Sequence, residues 1–591
     1  MGHLSLLLAL LFAQANPQDL DARRKQLAGL LDEQWEYTMR THPEYASVLG
    51  DKRYNDKISD RSEKAILAEY EMERQFLARF KAVDTAGFPE QEALNKALMV
   101  REIEKDLEGV RFKDWEMPVS QFGGIHINAP QLVSVLSFET VKDYDDYIAR
   151  LRQLPSAFAQ VTDLMTKGMA DKLMPPRILL EQVARQGAKI GDAAPEENPF
   201  FEPAKKIPAA FADADKARIR EQILSAVRDD VKPAYQKFTK FVQEEYAPQG
   251  RAEPGLWALP DGAVRYAYAV EQSTTTTLSP EEIHQIGLRE VARDRALMLK
   301  IAKKLGYRDL KEFDAAIAKN PKLHPKSREE MLEQYRTYID QMWAKLPRYF
   351  GRLPKAKVEV MPVESYREKE ASGAQYVNGT PDGKRPGHVM VNTGDFENRT
   401  TLDIETTAYH EGVPGHHMQI SVAQELPALP KFRQHAFYVA YIEGWGLYSE
   451  RLGEDAGFFQ DPYSMYGHLQ DDLLRAIRLV VDTGFHYKKW TRQQVVDYFH
   501  ASSGIDEPTV QSETDRYMAW PAQALGYKIG QLKILELRDR AKKELGPRFD
   551  IRGFHDEVLG GGAMPLDVLD QRIAVWTAQH RQRGASGPAL H

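Results

Sequence analysis

Three of the chain's 16 histidines fall within eight positions, in the stretch TTAYHEGVPGHHMQIS at residues 406–421, beside a glutamate, a proline and two glycines. The chain has no cysteine, so a metal here would be held by imidazole and carboxylate, the donor set of hydrolytic zinc sites. The usual spacing for that chemistry is HExxH. It sets two histidines four residues apart on one helix face, with the glutamate beside the open coordination position. Four residues turn the helix by about 40° and rise about 6 Å, so both imidazoles can meet one ion at ~2.0–2.1 Å. Here that fourth position is Pro414. On a regular helix His416 would point to the far side, and His417 would return to the right face only about 10 Å along it.

A regular helix is not available, because Pro414 lacks a donor and its ring would strike the carbonyl of His410. With Gly412 and Gly415 beside it, the segment is expected to bulge by two or three residues. The shorter bulge brings His416 to the second-ligand place, and the longer brings His417. Either way His410 is the first ligand, and Glu411 faces the open position, where it can take a proton from water. A Gly-Pro-Gly turn with solvated histidines is the alternative.

A third ligand is expected in YIEGWGLYSERLG, residues 441–453, an apolar and aromatic stretch that carries Glu443 and Glu450. Buried carboxylates are costly unless paired or metal-bound, so one of them needs a partner. Glu443, 27 residues after His416, suits a helix that returns antiparallel to the first, and His2Glu with an open fourth position is a catalytic zinc set. Other polar positions are weaker. Arg478 and His486 in RLVVDTGFHY could reach a substrate carboxylate or oxyanion, but His486, His126 and His388 are expected to be structural. The STTTT run at 273–277 lacks a glycine loop or lysine for phosphate and reads as a strand or helix lead-in.

The elements that must position these residues are mainly helices. Strong helix formers with apolar residues three and four apart run through Leu27 to Met39, Arg61 to Ala82 and Pro89 to Leu107. Capping boxes mark helix starts at Ser279 to Glu282 and Thr491 to Gln494. Pro/Gly-rich breaks fall at 191–208, 246–262 and 354–399. In the last break, Lys357 to Met361, Gly373 to Val377 and His388 to Asn392 read as short strands just before the histidine cluster. The expected fold is mainly α. A helical N-terminal lobe spans 16–260, and a C-terminal catalytic lobe spans 261–591 with a small sheet at about 355–395 next to the metal-site helix.

A chain of 591 residues, 42% of them hydrophobic, can bury a large core. The net charge of −7 is interspersed, without the basic face that nucleic acid requires. The apolar run Leu4 to Phe12 followed by Ala13-Gln14-Ala15 reads as a signal peptide over residues 1–15, although its first residues carry no Lys or Arg. It is too short to span a bilayer, and no later segment reaches that length. The expected location is therefore periplasmic or extracellular.

Several longer stretches carry a resemblance. HEGVPGHHMQ, EGWGLYSE and ETDRYMAWPAQALGYKIGQLKI resemble the bacterial domain-of-unknown-function family 885, as do PEYASVLGDKRYND, LPDGAVRYAYAVEQSTTTTLSPEEIH, DGKRPGHVMVNT and FHDEVLGGGAMPLDVLDQRI. The likeness covers nearly all of the mature chain. More distantly, the C-terminal half is similar to the helical zinc peptidases of the angiotensin-converting enzyme, thimet oligopeptidase and carboxypeptidase Taq type. That similarity implies one zinc ion, a deep channel between two helical lobes, and short peptides as substrates. The thimet-type GHxM falls on Gly415 to Met418 and implies His416 as the ligand. Glu443 and Glu450 match a third-ligand helix with a second glutamate seven residues on. Arg516-Tyr517 matches a late Arg-Tyr pair whose tyrosine donates to the oxyanion, with Tyr527 as the competing donor. The strand around Ala374 to Tyr376 matches the edge that pairs with an extended peptide.

Two departures stand out. The first spacing exceeds HExxH, and the acidic residue expected four positions after Glu443 is Leu447, so support for a ligand histidine falls to Glu450 or Glu405. The function expected from all this is zinc-dependent hydrolysis of short peptides, with His410, His416 and Glu443 as ligands, Glu411 as base and Tyr517 as oxyanion donor. The rivals are a noncatalytic peptide-binding protein on the same fold and a zinc hydrolase of non-peptide amides or esters.

Overall fold

Helix-forming runs with apolar residues three and four apart become helices close to their expected limits: Pro17–Thr41, Glu63–Ala82 and Glu90–Gly109. Both capping boxes form, at Pro280–Lys304 and at Arg492–Ser502, each with reciprocal side-chain and backbone bonds. The STTTT run closes the helix Gly262–Thr274 and leads towards the next one. The structure, a computed structural model, describes residues 17–363, 368, 372–380, 385–426 and 429–585. The expected signal peptide lies outside them.

The fold is mainly α with one small sheet. Apolar side chains between Val119 and Ala247 share one core, which includes Tyr147, Phe158 and Phe238. Leu27, Phe76, Phe80 and Ile103 make a smaller one that reaches Phe432. The largest core gathers residues from Tyr266 to Trp576 and takes in Leu98. The first hundred residues thus pack against the C-terminal half. Arg433, buried, donates to Asn95 at 3.0 Å, and Tyr438 donates to Glu102 at 2.8 Å.

The elements that carry the candidate site are numbered as follows. They are α1 (Pro280–Lys304), α2 (Arg328–Trp343), β1 (Val358–Pro362), β2 (Ala374–Val377), β3 (Gly387–Val391), α3 (Ile404–Glu411) and α4 (His416–Gln424). After them come α5 (Val439–Asp455), α6 (Pro462–His486), α7 (Glu507–Ala519) and α8 (Leu525–Leu545). The three strands lie where they were expected. β3 is central, parallel to β1 with Val358 opposite Gly387 and antiparallel to β2 with Ala374 opposite Val391. Val389 and Val391 of β3 point into the core. The outer edge of β2 pairs with no strand among the described residues.

α5 and α8 cross where each has a glycine. A methyl group on Gly530 would lie 1.9 Å from the carbonyl oxygen of Ala440, and one on Gly444 would lie 2.5 Å from the α-carbon of Gly530. The backbones therefore touch, and α5 is drawn into the interior. Gly530→Ala is expected to force the helices apart at a cost of about 1–3 kcal/mol. A lower urea midpoint with unchanged far-ultraviolet dichroism would register it, and an unchanged midpoint would contradict this packing.

Candidate metal centre

α3 stops at Glu411 and α4 begins at His416, so the expected bulged helix is in fact two helices. The reason is local. Pro414 has no N–H to continue the ladder, and Gly412 and Gly415 have ψ angles of −121° and −128°, outside the helical range. The His417 N–H then reaches back to the Gly412 carbonyl at 3.1 Å. The Pro414 carbonyl, left without a helical partner, accepts from the indole N–H of Trp445 at 2.8 Å. That indole belongs to α5, so the break is held by the helix that also carries the acidic residues.

The break turns His416 back towards His410. Their rings lie 4.8 Å apart and nearly perpendicular, at 88°. Each Nε2 is 3.5 Å from Oε2 of Glu443, and one donor atom from each of the three residues lies within 4.8 Å of the others. A tetrahedral zinc ion with bonds of ~2.0–2.1 Å sets its donors roughly 3.3 Å apart, so the three groups fit such an ion with only small movement. Nδ1 of His416 is buried without a partner among the described residues. His417, the other candidate for second ligand, lies outside this group. It is fully buried, donates from Nε2 to the Ala356 carbonyl at 3.1 Å and accepts at Nδ1 from the Tyr376 hydroxyl at 3.0 Å. Burial pushes it down to about 4. His417 is thus neutral and fastens α4 to the sheet.

Glu443, Gly446 and Glu450 lie on one face of α5, at i, i+3 and i+7. Gly446 leaves room for the ring of His410, since a methyl group there would lie 2.7 Å from Cε1 and Nε2. Glu450, 0% exposed, accepts from Nδ1 of His410 at 2.7 Å and from the Thr406 hydroxyl at 2.8 Å. His468 of α6 completes the group, with Nδ1 3.0 Å from the Thr406 hydroxyl and Nε2 3.2 Å from Glu454. Burial alone would raise the Glu450 carboxyl, but the hydrogen bond from His410 and the nearby His468 ring hold it well below the usual range. His468, against the effect of its burial, is pushed up to about 9 by Glu450 and Glu454. Glu443 is likewise kept low, despite burial, by His410 and His416. These carboxylates demand positive charge at this place, and a divalent cation meets that demand as a proton does. Of the two expected supports, Glu450 takes the role. Glu405 instead accepts from Tyr409, the Phe459 N–H and Ser464.

Glu411 follows His410 in the last turn of α3, half-buried and without a hydrogen bond among the described residues. The oxyanion candidates lie on α7 and α8. Tyr517 is 0% exposed; its hydroxyl donates to Glu513 and accepts from Arg478 at 3.3 Å. Its proton is committed, which counts against the donor role that the resemblance implied. Tyr527 is half-buried, with Arg478 4.7 Å from its ring centre and Arg516 Nη2 3.5 Å from its oxygen. Arg516 also pairs with Glu513 at 3.3 Å and Gln523 at 2.8 Å. His486 is structural, accepting from the Leu256 N–H and donating to the Tyr517 carbonyl.

The family described as "Bacterial protein of unknown function (DUF885)" matches residues 43–573. The chain belongs to it. A crystal structure of a candidate lipoprotein from Colwellia psychrerythraea shares 32% identity with this DUF885 protein at a TM-score of 0.88, covering 94% of this chain and all of the other. A second candidate lipoprotein, of unknown function and from Shewanella oneidensis, shares the fold at 16% identity and a TM-score of 0.72, over 93% of this chain and 99% of that one. No curated protein matches.

The sequence reading of this DUF885 protein missed His468 and Trp445. His468 opens the run HLQDDLLRAIR, where charged residues recur every third or fourth position on a helix otherwise rich in apolar residues. That pattern is a legible sign of paired buried charge. Two substitutions separate the neighbouring histidines: His416→Ala is expected to abolish stoichiometric zinc, and His417→Ala to retain it while weakening the sheet attachment. Elemental analysis of the purified variants reads both, and zinc lost only from His417→Ala would reverse the assignment. Glu450→Gln is expected to lower zinc affinity about 10–100-fold, measured by chelator competition.

Proposed function

We propose that this protein is a zinc-dependent peptidase of short peptides. The observation that carries this reading is the convergence of His410, His416 and Glu443, with Glu450 behind the first ligand and Glu411 beside it. A zinc ion held there supplies Lewis-acid polarisation of a carbonyl and makes water more acidic. Glu411 takes the proton of the attacking water and passes it to the leaving amine as the C–N bond breaks. Tyr527, whose hydroxyl is not committed to a carboxylate as that of Tyr517 is, donates to the developing oxyanion. The edge of β2 that pairs with no strand among the described residues supports an extended substrate through backbone pairing.

An exported location agrees with the apolar N-terminal run and with the lipoprotein descriptions of the two related structures. No helix among the described residues is long and apolar enough to cross a membrane. Glu411→Gln is expected to keep one zinc ion and lose about 10²–10⁴ of turnover on a peptide library. Full activity in that variant would remove Glu411 from the reaction. Absence of stoichiometric zinc, together with an uncut library, would favour a peptide-binding protein instead.

A further inference from the structure

A cavity of about 380 Å³ opens in the N-terminal half, with every residue of its wall between Glu44 and Phe200. It shares no residue with the candidate metal centre, whose ligands begin at His410. Its inner wall is the core itself: Ile125, Leu151, Leu154 and Phe200 line it and also pack in the core around Phe158. The mouth is apolar as well. Val48 and Val135 line it with 57% and 51% of their surface exposed, and Tyr45 lines it beside them. Single apolar side chains on a surface are ordinary, but three around one opening that continues into an apolar cavity form a binding surface. A wall of this kind with a few charged groups in it is the usual make-up of a small-molecule site.

The charged groups in the wall are Glu44, Arg61 and Arg150. Glu44 is satisfied within the protein, accepting from Arg61 Nη2 at 3.0 Å, from the Ser59 N–H at 3.2 Å and from the Ser59 hydroxyl. Arg150 is buried and donates only to uncharged acceptors, the Lys57 and Tyr54 carbonyls at 2.7 and 2.8 Å and the Ser47 hydroxyl at 3.0 Å. Asp56 and Asp146 act on it from outside the wall, and Asp146 is held by Lys142. Two guanidinium groups against one carboxylate leave the wall with net positive charge. Arg61 is the group a ligand can touch. Its side chain is 33% exposed, and its only side-chain hydrogen bond among the described residues is the one to Glu44.

We propose that this cavity binds a fatty-acid-like carboxylate, with the aliphatic tail inside and the head group on Arg61. A tail of about ten carbons with its head group fits the volume, because each heavy atom needs about the room of a water molecule, about 30 Å³. A cationic head would be repelled by the wall, and a neutral one would forgo the charge-assisted bond to Arg61. The site stands whether or not the protein is a peptidase.

The test titrates the full-length protein calorimetrically with sodium decanoate, sodium octanoate and decyltrimethylammonium, all below micellar concentrations. One decanoate is expected to bind per chain, about 10-fold tighter than octanoate because two more methylenes are buried, and at least about 10-fold tighter than the cation. Val135→Trp, a change at an exposed position that closes the mouth, is expected to abolish decanoate binding. Arg61→Gln is expected to weaken decanoate about 10-fold and leave 1-decanol unchanged. The wild-type series decides by itself should Arg61→Gln not fold. No saturable binding of decanoate, equal binding of the cation, or binding that survives Val135→Trp overturns the proposal.

Discussion

A carboxylate with no exposed surface must be met by donors, and Glu450 is such a group in the middle of α5. Its donors, the His410 ring and the Thr406 hydroxyl, come from α3, and His468 of α6 stands 3.6 Å away. Leaving that charge uncompensated would cost several kcal/mol, so its pairing constrains how the three helices can stand to one another. The consequence for the site is directional. With Nδ1 of His410 bound to Glu450, Nε2 points the other way, towards Glu443 and His416. The hydrogen bond that satisfies the buried acid is thus also the one that aims the first candidate ligand.

α5 has almost no idle position over two turns. Glu443 offers a candidate ligand atom, Gly446 leaves the space the His410 ring occupies, and Glu450 supports that ring. On neighbouring faces Gly444 meets the backbone of α8, Trp445 caps the orphaned Pro414 carbonyl, and Tyr448 bonds to His555 at 2.7 Å. An indole is the fitting cap, because it offers one donor and a large apolar body that fills the interior around the break. The same helix therefore stabilises the break in the His410–His416 segment and closes the site opposite to it.

Much of this was legible from residue types, because histidine, proline and buried glutamate are each costly in a helical interior and so mark places where something must meet them. Helix limits followed from periodicity and caps, and the strands from the Gly/Pro-rich break. What was not legible is what depends on distant partners. Pro414 forbids a regular helix, but no local rule states where the chain goes next; Trp445, 31 residues on, decides that. His468 meets Thr406 across 62 residues, so its part in the site is invisible in either segment alone. The order β1-β3-β2 needed the parallel pairing of β1 with β3, which no hairpin signal encodes. Tyr517 is different, because Glu513 stands four residues before it on the same helix, in reach of its hydroxyl. That pair was readable, and it argued against a free phenol.

A second set of buried charges holds α6 beside the candidate metal centre. Asp472, next to Asp471, receives Lys528 of α8 at 2.6 Å and Arg293 of α1 at 2.5 Å, and Lys528 also meets Glu290 at 3.3 Å. Lys528 has no exposed surface, so displacing α6 would strand a buried ammonium and take His468 away from Glu450. α6 is thus fixed by charge pairs on both sides, which holds His468 beside the Glu450 group.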